Sequence, residues 1–590
     1  MAKLTTHQLS LSPRMRALWW IVLTLFGVFA LRLFYIQVVQ HAHYVEAARE
    51  RQVTKLTIFP ERGTLYTKDG ETVQPLVLNE TVYTVFADPK EVKDPEEVRV
   101  LLRQVAGGEL DEDALGLLSK KDLRYVVLAR QVSRTQAEMI QKKALDGVGL
   151  QRGTRRVYPE GALAAQLLGY VNNDGKGQYG LEEALDKRLA GTEGMLQSVT
   201  DVRRIPLTIG DDNISQPAID GDDIVLSIDR SIQLKAEQVL QSGLANAKAT
   251  RGSVVVMNPN NGQVLAMANL PSYSPADYTK VEDYSLFQNS VVSYPYENGS
   301  VIKTFTVGAG LDTGAVTTES TFPDGTGCYQ MSEWPQPICN VEEDPKKAAA
   351  SMLDTLRYSL NTGVVYVLRQ MGGGTINDQA KQQLYRYFHD KYRFAQLTGI
   401  EQAGETTGVM IAPDDQEGSS IRYANMAFGQ GMNTTMIQTT AAFSAMINGG
   451  TYYKPTLVAG TYKNGNIAEQ QPTVVEQNMF TTGHSAEIRD LIWQGRKTGF
   501  FGRYDRDGYK IGGKTGTSQV IDPKTGKYSN ENSVGSYLGF GGAETPEYVI
   551  MVRVDDAKIG GYAGTTAAGP IFNELSNWLL DYLHIQPSAG

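Results

Sequence analysis

Three short segments of this chain carry residue types that together can transfer an acyl group. In Ser300-Val301-Ile302-Lys303 an amine follows a hydroxyl at i+3. That spacing puts both on one face of a single helical turn, so the amine can take the hydroxyl proton. Ser359-Leu360-Asn361 adds a second hydroxyl, able to complete a proton relay, and an amide able to hold a substrate amide. Gly513-Lys514-Thr515-Gly516-Thr517 sets a lysine in a Gly-rich strand. Its cation can pair with a substrate carboxylate while its backbone binds an extended peptide.

Lys-Thr-Gly occurs three times, so the copies must be told apart by their surroundings. Residues 485–496 read as a helix (Ala486, Ile488, Leu491, Ile492), after which Gly499 is predicted as a left-handed C-terminal cap. Lys524-Thr525-Gly526 sits in the polar stretch from Asp522 to Lys527, predicted as a turn between two strands. Only the middle copy has the character of a functional strand. Its glycines leave one edge bare of side chains, which suits close approach of a ligand backbone.

These segments need a large fold to position them. With 590 residues the chain can form several domains and at least one large core. A net charge of −9 argues against a nucleic-acid surface. The six scattered histidines have no metal-ligand spacing, so the site is expected to need no metal and no other cofactor. Residues 17–39 are mostly apolar and make about 34 Å of helix, enough to cross a bilayer. Arg32 lies near the outer end of the span, where its side chain can snorkel to the headgroups. Lys3, Arg14 and Arg16 precede the span with no acid, which predicts residues 1–16 in the cytoplasm and everything after residue 40 outside. The apolar run exceeds the core of a cleaved signal peptide, and no small-x-small site follows it. Cys328 and Cys339 both fall in the predicted outer part. An oxidising compartment allows a disulfide across their short loop, worth roughly 3 kcal/mol by loop-closure entropy. Two unlinked thiols are the alternative.

Residues 40–57 read as a charged connector, helical from 44 to 55, and Asp69-Gly70 marks a hairpin turn. A first module, 58–218, mixes strands (81–87, 124–128) with charged helices (94–105, 134–143) and carries no catalytic constellation. Its stretch from Gly175 to Gly180 lacks the Lys-Ser/Thr ending of a phosphate loop and is predicted as a turn. A second domain, 219–585, opens with a strand (223–228), an amphipathic helix (231–247) and a hairpin over 252–268 turning at Asn261-Gly262. Helices are predicted over 348–370 and 436–448, strands over 509–520, 536–542 and 548–555, and a last helix from Gly569-Pro570 to about 583. Strand and helix, a helical insert, then strands and a final helix predict an α+β fold, an antiparallel sheet packed against helices.

In the order and identity of these segments the chain resembles the class B penicillin-binding proteins, the membrane-anchored D,D-transpeptidases of bacterial cell-wall synthesis. The resemblance covers nearly the whole chain. It takes in Arg62-Gly63-x-Leu65, Arg156-Val157-Tyr158-Pro159, and Gly180-Leu181-Glu182 followed by Leu189-x-Gly191. It also takes in Gly429-Gln430-Gly431, Thr435, Gln438 and Asn448-Gly449-Gly450. It implies a single N-terminal transmembrane helix, an extended α+β pedestal or dimerisation-like module at 58–218, and a serine β-lactamase-like transpeptidase domain with an all-helical subdomain at 219–585. It further implies that Ser300 attacks the penultimate D-alanine of a stem peptide, releases the terminal D-alanine and forms an acyl-enzyme. Lys303 is then the base, its pKa brought down from about 10.4 by desolvation and a nearby Lys514 charge. Ser359 passes the proton to the leaving amine, and Asn361 binds the substrate backbone and orients Lys303. The backbone N–H groups of Ser300 and Thr517 form the oxyanion hole. Lys514, Thr515, Gly516 and Thr517 receive the carboxylate of the donor or of a β-lactam. The family has proline before the Gly-Ser of the nucleophile turn, where this chain has Asn298. Asparagine tolerates turns and can cap, so the geometry is expected to survive.

Serine β-lactamases, D,D-carboxypeptidases and β-lactam sensors share the same three motifs. No dedicated deacylation base is identifiable, which disfavours a β-lactamase. A β-lactam sensor or non-catalytic penicillin-binding scaffold remains as the alternative, separated by release of D-alanine. By resemblance the partners are peptidoglycan stem peptides, β-lactams and a polytopic lipid II polymerase of the shape, elongation, division and sporulation class. Contact with that polymerase is expected through residues 17–60 and the first module, at the bacterial cytoplasmic membrane. The compact first module and an end soon after the last helix favour septal over elongation-specific synthesis.

Overall fold

The computed structural model describes residues 12–45, 53–105, 110–199, 214–341, 345, 347–521 and 528–588. The chain divides into two compact units, residues 1–60 with 192–219 and residues 61–191 with 220–590. The module expected at 58–218 therefore contributes to both.

In the smaller unit, helix α1 (Pro13–Phe34) runs into a π-turn at Tyr35–Val39. Pro13 sits in the first turn, where a missing N–H costs nothing. The stretch 13–39 is long and apolar enough to cross a membrane, and none of its most apolar window is buried within the protein. Residues 53–55, expected to end a helical connector, belong instead to a strand, Val53–Ile58. It pairs with Gly194–Val199, which pairs with Ile214–Gln216. Four of its six residues are β-branched (Val53, Thr54, Thr57, Ile58), which favours the pleated backbone over a helix.

The larger unit opens with β1 (Leu65–Asp69) and β2 (Thr72–Ala87), a hairpin turning at Gly70 with φ +62°. Helix α2 (Pro95–Val105), strand β3 (Val126–Ser133), helix α3 (Arg134–Lys142) and strand β4 (Val148–Val157) follow. Both strands pair with β2, and the helices pack there through Val98, Leu102, Ala137 and Ile140. Strand β5 (Ile224–Asp229) then adds to β1 in parallel, so the start of the second domain shares a sheet with the first module. Asp229 caps α4 (Arg230–Ala247), accepting from the Ile232 N–H at 3.0 Å. A hairpin of β6 (Arg251–Met257) and β7 (Val264–Leu270) leads through loops to α5 (Lys303–Asp312).

Next come α6 (Met352–Arg357), α7 (Asn361–Met371) and α8 (Met436–Ile447). Strands β8 (Val458–Lys463) and β9 (Asn466–Glu469) extend the first sheet beyond β5. Helix α9 (Thr482–Lys497) precedes β10 (Gly512–Ile521), β11 (Tyr528–Gly542), β12 (Pro546–Asp555) and α10 (Gly569–Tyr582). The second sheet is antiparallel in the order β7-β6-β12-β11-β10. On one face α4 and α10 bury Val239, Leu240, Phe572 and Leu575 against Val254 and Ile550. On the other lie α5 and α8, and every residue of α8 is buried, the hydroxyls of Thr439, Thr440 and Ser444 each donating to the carbonyl four residues before. Thr435 and Gln438 start α8 with a reciprocal capping box.

Two sequence expectations change here. The helix expected over 348–370 is two helices, broken at Ser359, whose φ is +60°. Gly499 is not left-handed: the right-handed Thr498 ends α9, and Gly499 donates to the Arg496 carbonyl at 3.0 Å. A Cβ at 499 would lie 2.7 Å from the Gly495 carbonyl oxygen, so close approach and not φ requires glycine there. The third Lys-Thr-Gly, 524–526, lies outside the described residues, between β10 and β11, which pair through Ile521 and Tyr528.

Three of the segments that carry the resemblance converge in one buried ion cluster. Glu182 has no exposed surface and accepts from Arg62 Nε at 2.9 Å and from Arg156 Nε at 2.8 Å, one on each oxygen. Asp186 pairs with Arg62 at 2.7 Å, and Asn79 Oδ1 accepts from Arg156 at 2.8 Å. Removing the central acid leaves the buried Arg156 guanidinium with no carboxylate among the described residues and the buried Arg62 with Asp186 alone. Glu182→Gln is expected to lower stability by about 3–5 kcal/mol. Glu61→Gln, which breaks an exposed pair with Arg152, is expected to cost less than about 1 kcal/mol. Denaturant unfolding of the two variants side by side checks the contrast.

Candidate active site

Lys303, Ser359 and Lys514 meet at one point, with Ser300 one turn before Lys303. Gly299–Ile302 is a 3₁₀ turn leading into α5, and in that geometry residues i and i+3 lie on one face. The Lys303 amine, 1% exposed, donates to the Ser359 carbonyl and lies 3.2 Å from the Ser359 hydroxyl. From β10, Lys514 reaches the same hydroxyl at 2.9 Å and the Thr515 carbonyl at 3.1 Å. One hydroxyl thus sits between two buried amines.

The break at Ser359 makes this possible. A left-handed serine costs about 1–2 kcal/mol, but it frees the Ser359 carbonyl from the helical ladder and turns it toward Lys303. The Leu360 N–H closes the break by donating to Thr355 at 3.0 Å. Asn361 opens α7, and its side-chain amide donates to the Cys339 carbonyl at 2.8 Å. In this structure the Ser359 carbonyl orients Lys303.

Cys328 and Cys339 are bonded, and the hairpin they close, Cys328–Tyr329 with Ile338–Cys339, docks on the start of α7. Besides the Asn361 contact, Asn340 accepts from the Thr362 N–H at 3.0 Å and Asp324 accepts from the Thr362 hydroxyl at 2.7 Å. Read from sequence as a local crosslink, the pair instead braces the Ser359-Leu360-Asn361 segment. Nothing in the spacing of the two cysteines signals a contact 22 residues downstream of Cys339.

Among the described residues β10 is the edge strand of its sheet, paired with β11 alone. It crosses the Ser300 turn at van der Waals contact. A Cβ at Gly516 would overlap the Asn298 carbonyl oxygen, and one at Gly299, where φ is +59°, would lie 2.7 Å from the Thr517 carbonyl oxygen. On the far side the Gly299 N–H donates to the Gly429 carbonyl at 3.2 Å. Thr515 and Thr517 are half-buried along this strand, and the Thr517 hydroxyl accepts from the Gly564 N–H at 3.1 Å.

Asn298 does not cap the Ser300 turn. Its buried amide donates to the hydroxyls of Thr434 at 2.5 Å and Thr439 at 3.2 Å, tying the turn to α8. Glu297 reads from sequence only as the entry to the Ser300 segment, with no role of its own. Its carboxylate accepts from the Gly431 N–H at 2.7 Å and from the Tyr528 hydroxyl at 3.0 Å, joining the Ser300 turn to the start of β11. Burial raises the Glu297 carboxyl above its ordinary range. Burial, with Glu297 alongside, pushes the Tyr528 phenol up to about 12. Its one sequence signal was a charge directly before Asn-Gly-Ser.

The converging donors are amines and hydroxyls, a set suited to an anionic substrate and poorly suited to a metal ion. An open edge strand beside them suits an extended peptide.

Residues 252–577 match the family model for the penicillin-binding protein transpeptidase domain, and residues 57–226 match that for the penicillin-binding protein dimerisation domain. Stage V sporulation protein D of Bacillus subtilis is 29% identical, over 95% of this chain and 85% of that protein. Peptidoglycan D,D-transpeptidase FtsI of Escherichia coli is 26% identical, over 95% of this chain and 90% of that protein. Among solved structures, penicillin-binding protein 2X from Streptococcus thermophilus shares the fold with a TM-score of 0.69 at 22% identity, covering 90% of this chain and 80% of that one.

Because Gly516 sets the distance between β10 and the Ser300 turn, Gly516→Ala is expected to slow acylation by a fluorescent penicillin about 100-fold. Gly560→Ala, where a Cβ meets open space, is expected to leave the rate unchanged. Stopped-flow labelling of both variants tests this.

Proposed function

Since the chain belongs to the class B penicillin-binding proteins, we propose that it is a peptidoglycan D,D-transpeptidase working through a Ser300 acyl-enzyme. The observation that carries this reading is the convergence of the Lys303 and Lys514 amines on the Ser359 hydroxyl at 3.2 and 2.9 Å. Burial and the neighbouring amine both penalise charge on Lys303, which suits it to accept a proton. Lys303 takes the Ser300 proton as the Ser300 oxygen bonds to the carbonyl carbon of the penultimate D-alanine. The N–H groups of Ser300 and Thr517 hold the oxyanion. As the C–N bond breaks, the leaving amine takes a proton through Ser359 and terminal D-alanine departs. The amine of a second stem peptide then attacks the ester, its proton returns along the same route, and Ser300 regains its hydrogen. Lys514, Thr515 and Thr517 hold the donor carboxylate, Gly516 lets the donor backbone approach, and Asn361 contacts it. A β-lactam enters as the donor does.

Helix α1 serves as a single-pass anchor in the bacterial cytoplasmic membrane, with residues 1–16 inside and the catalytic part outside. Arg14 and Arg16 before the span support this orientation, as does a disulfide, which belongs to an oxidising compartment. Similarity to FtsI over 95% of the chain supports a septal role. The polymerase partner is a polytopic lipid II polymerase of the shape, elongation, division and sporulation class, met through residues 17–60 and the first module.

Ser300→Ala is expected to abolish penicillin labelling and to lower D-alanine release from a thioester donor by at least about 10⁴-fold. Ser359→Ala is expected to lower it by about 10²–10⁴-fold. Mass spectrometry of the Ser300 peptide after penicillin, paired with a D-alanine assay, provides the check. Label on Ser300 with no D-alanine released from any donor would make the chain a β-lactam sensor or scaffold instead.

A further inference from the structure

We propose that the cavity beyond Lys514 and Thr515 is the acceptor subsite, in which Arg357 binds a second, distal carboxylate of the attacking peptide. This rests on the transpeptidase reading above. By microscopic reversibility the attacking amine enters along the line on which the leaving amine departs. The leaving group is a single amino acid, whose carboxylate ends at Lys514 and Thr515. Whatever more the acceptor carries must therefore lie past those residues.

A cavity of about 120 Å³ opens there, lined among others by Thr304, Arg357, Phe500, Gly513, Lys514 and Thr515. Three of its wall positions, Gly495, Gly499 and Gly513, carry no side chain, which keeps it open. Phe500, 56% exposed, supplies an apolar wall.

The cavity wall holds two guanidiniums in different circumstances. Arg496 is committed to Asp505 at 2.6 Å and Asn573 at 2.8 Å. Arg357 is exposed, lies over the Tyr358 ring at 4.9 Å, and is paired with no carboxylate among the described residues. The nearest acid on its own helix, Asp354, is taken by Lys347 at 2.5 Å. Arg357 is also the last residue of α6, two positions before Ser359, so its backbone is fixed by the same break that positions the proton relay. A guanidinium so placed matches a carboxylate through two parallel N–H bonds, which a carboxamide cannot reproduce.

The test uses the full-length chain in detergent, acylated by a D-alanyl thioester. It is offered two acceptor amines identical except for a distal carboxylate or carboxamide. The ratio of aminolysis to hydrolysis is read by chromatography, and a ratio within one acyl-enzyme cancels any loss of folded protein. The wild type is expected to favour the carboxylate acceptor about tenfold, expressed in KM. Arg357→Gln should bring the preference close to one, and Arg357→Lys should restore part of it. Lys497→Gln, a nearby cation over Trp493 and outside the cavity wall, should leave it intact. A preference that survives Arg357→Gln, or none in the wild type, overturns the subsite while acylation still occurs. Failure of the thioester to acylate the wild type overturns the transpeptidase reading, and the subsite with it.

Discussion

At Gly299, Gly429 and Gly516 the peptide backbone itself is the packing surface, and the geometry of the site follows from that. No side chain separates the Ser300 turn from the edge strand or from the loop behind it. The spacing between Ser300 and Thr517 is therefore set by main-chain contact, which is far stiffer than any contact through rotatable side chains. Neighbouring elements hold the three backbones in place. The capping box of α8 and the Asn298 amide fix the loop that carries Gly429, and the Gly564 N–H fixes Thr517. Glu297 spans the remaining direction, from Gly431 to Tyr528. The oxyanion hole proposed for the N–H groups of Ser300 and Thr517 would need this kind of rigidity.

The buried ion cluster and the cluster at Ser359 show the same electrostatics in opposite arrangements. At Glu182 a fully buried acid sits between two guanidiniums, and charge is matched inside the protein. At Ser359 the group between two buried amines is a hydroxyl. An arrangement of that kind attracts a carboxylate from outside and gives a proton somewhere to go. The first cluster holds β1 and the end of β4 together, and β1 carries β5 in turn, so the structural pair supports the sheet from which the catalytic domain begins.

Much of this was legible in the sequence because it depends on local rules. Asp69-Gly70 and Asn261-Gly262 turn where they should, a helix falls where one is expected over 436–448, and the serine-lysine spacing marks one turn of helix. What escaped depends on distant partners. The apolar periodicity over 348–370 runs unbroken through Leu356, Leu360 and Val364, so nothing local announces the left-handed Ser359. Its conformation answers to Lys303 and Lys514, 56 and 155 residues away. Asn298 reads as a capping residue, yet its amide is claimed by Thr434, and the disulfide hairpin reads as a crosslink until its contact with Asn361 is seen. Residues 53–55 were lost to charge, which suggested a connector, although the β-branched run from Val53 to Ile58 favours a strand.

Ser359 also places stability and chemistry in conflict at a single residue. Its φ of +60° belongs to the region that glycine occupies without penalty. A glycine there would relieve roughly 1 kcal/mol or more of backbone strain, and it would keep the carbonyl that orients Lys303. It would also delete the hydroxyl between the two amines. A search that rewards only thermal resistance would therefore drift toward glycine at this position, and under the transpeptidase reading proposed above it would lose the proton relay with it.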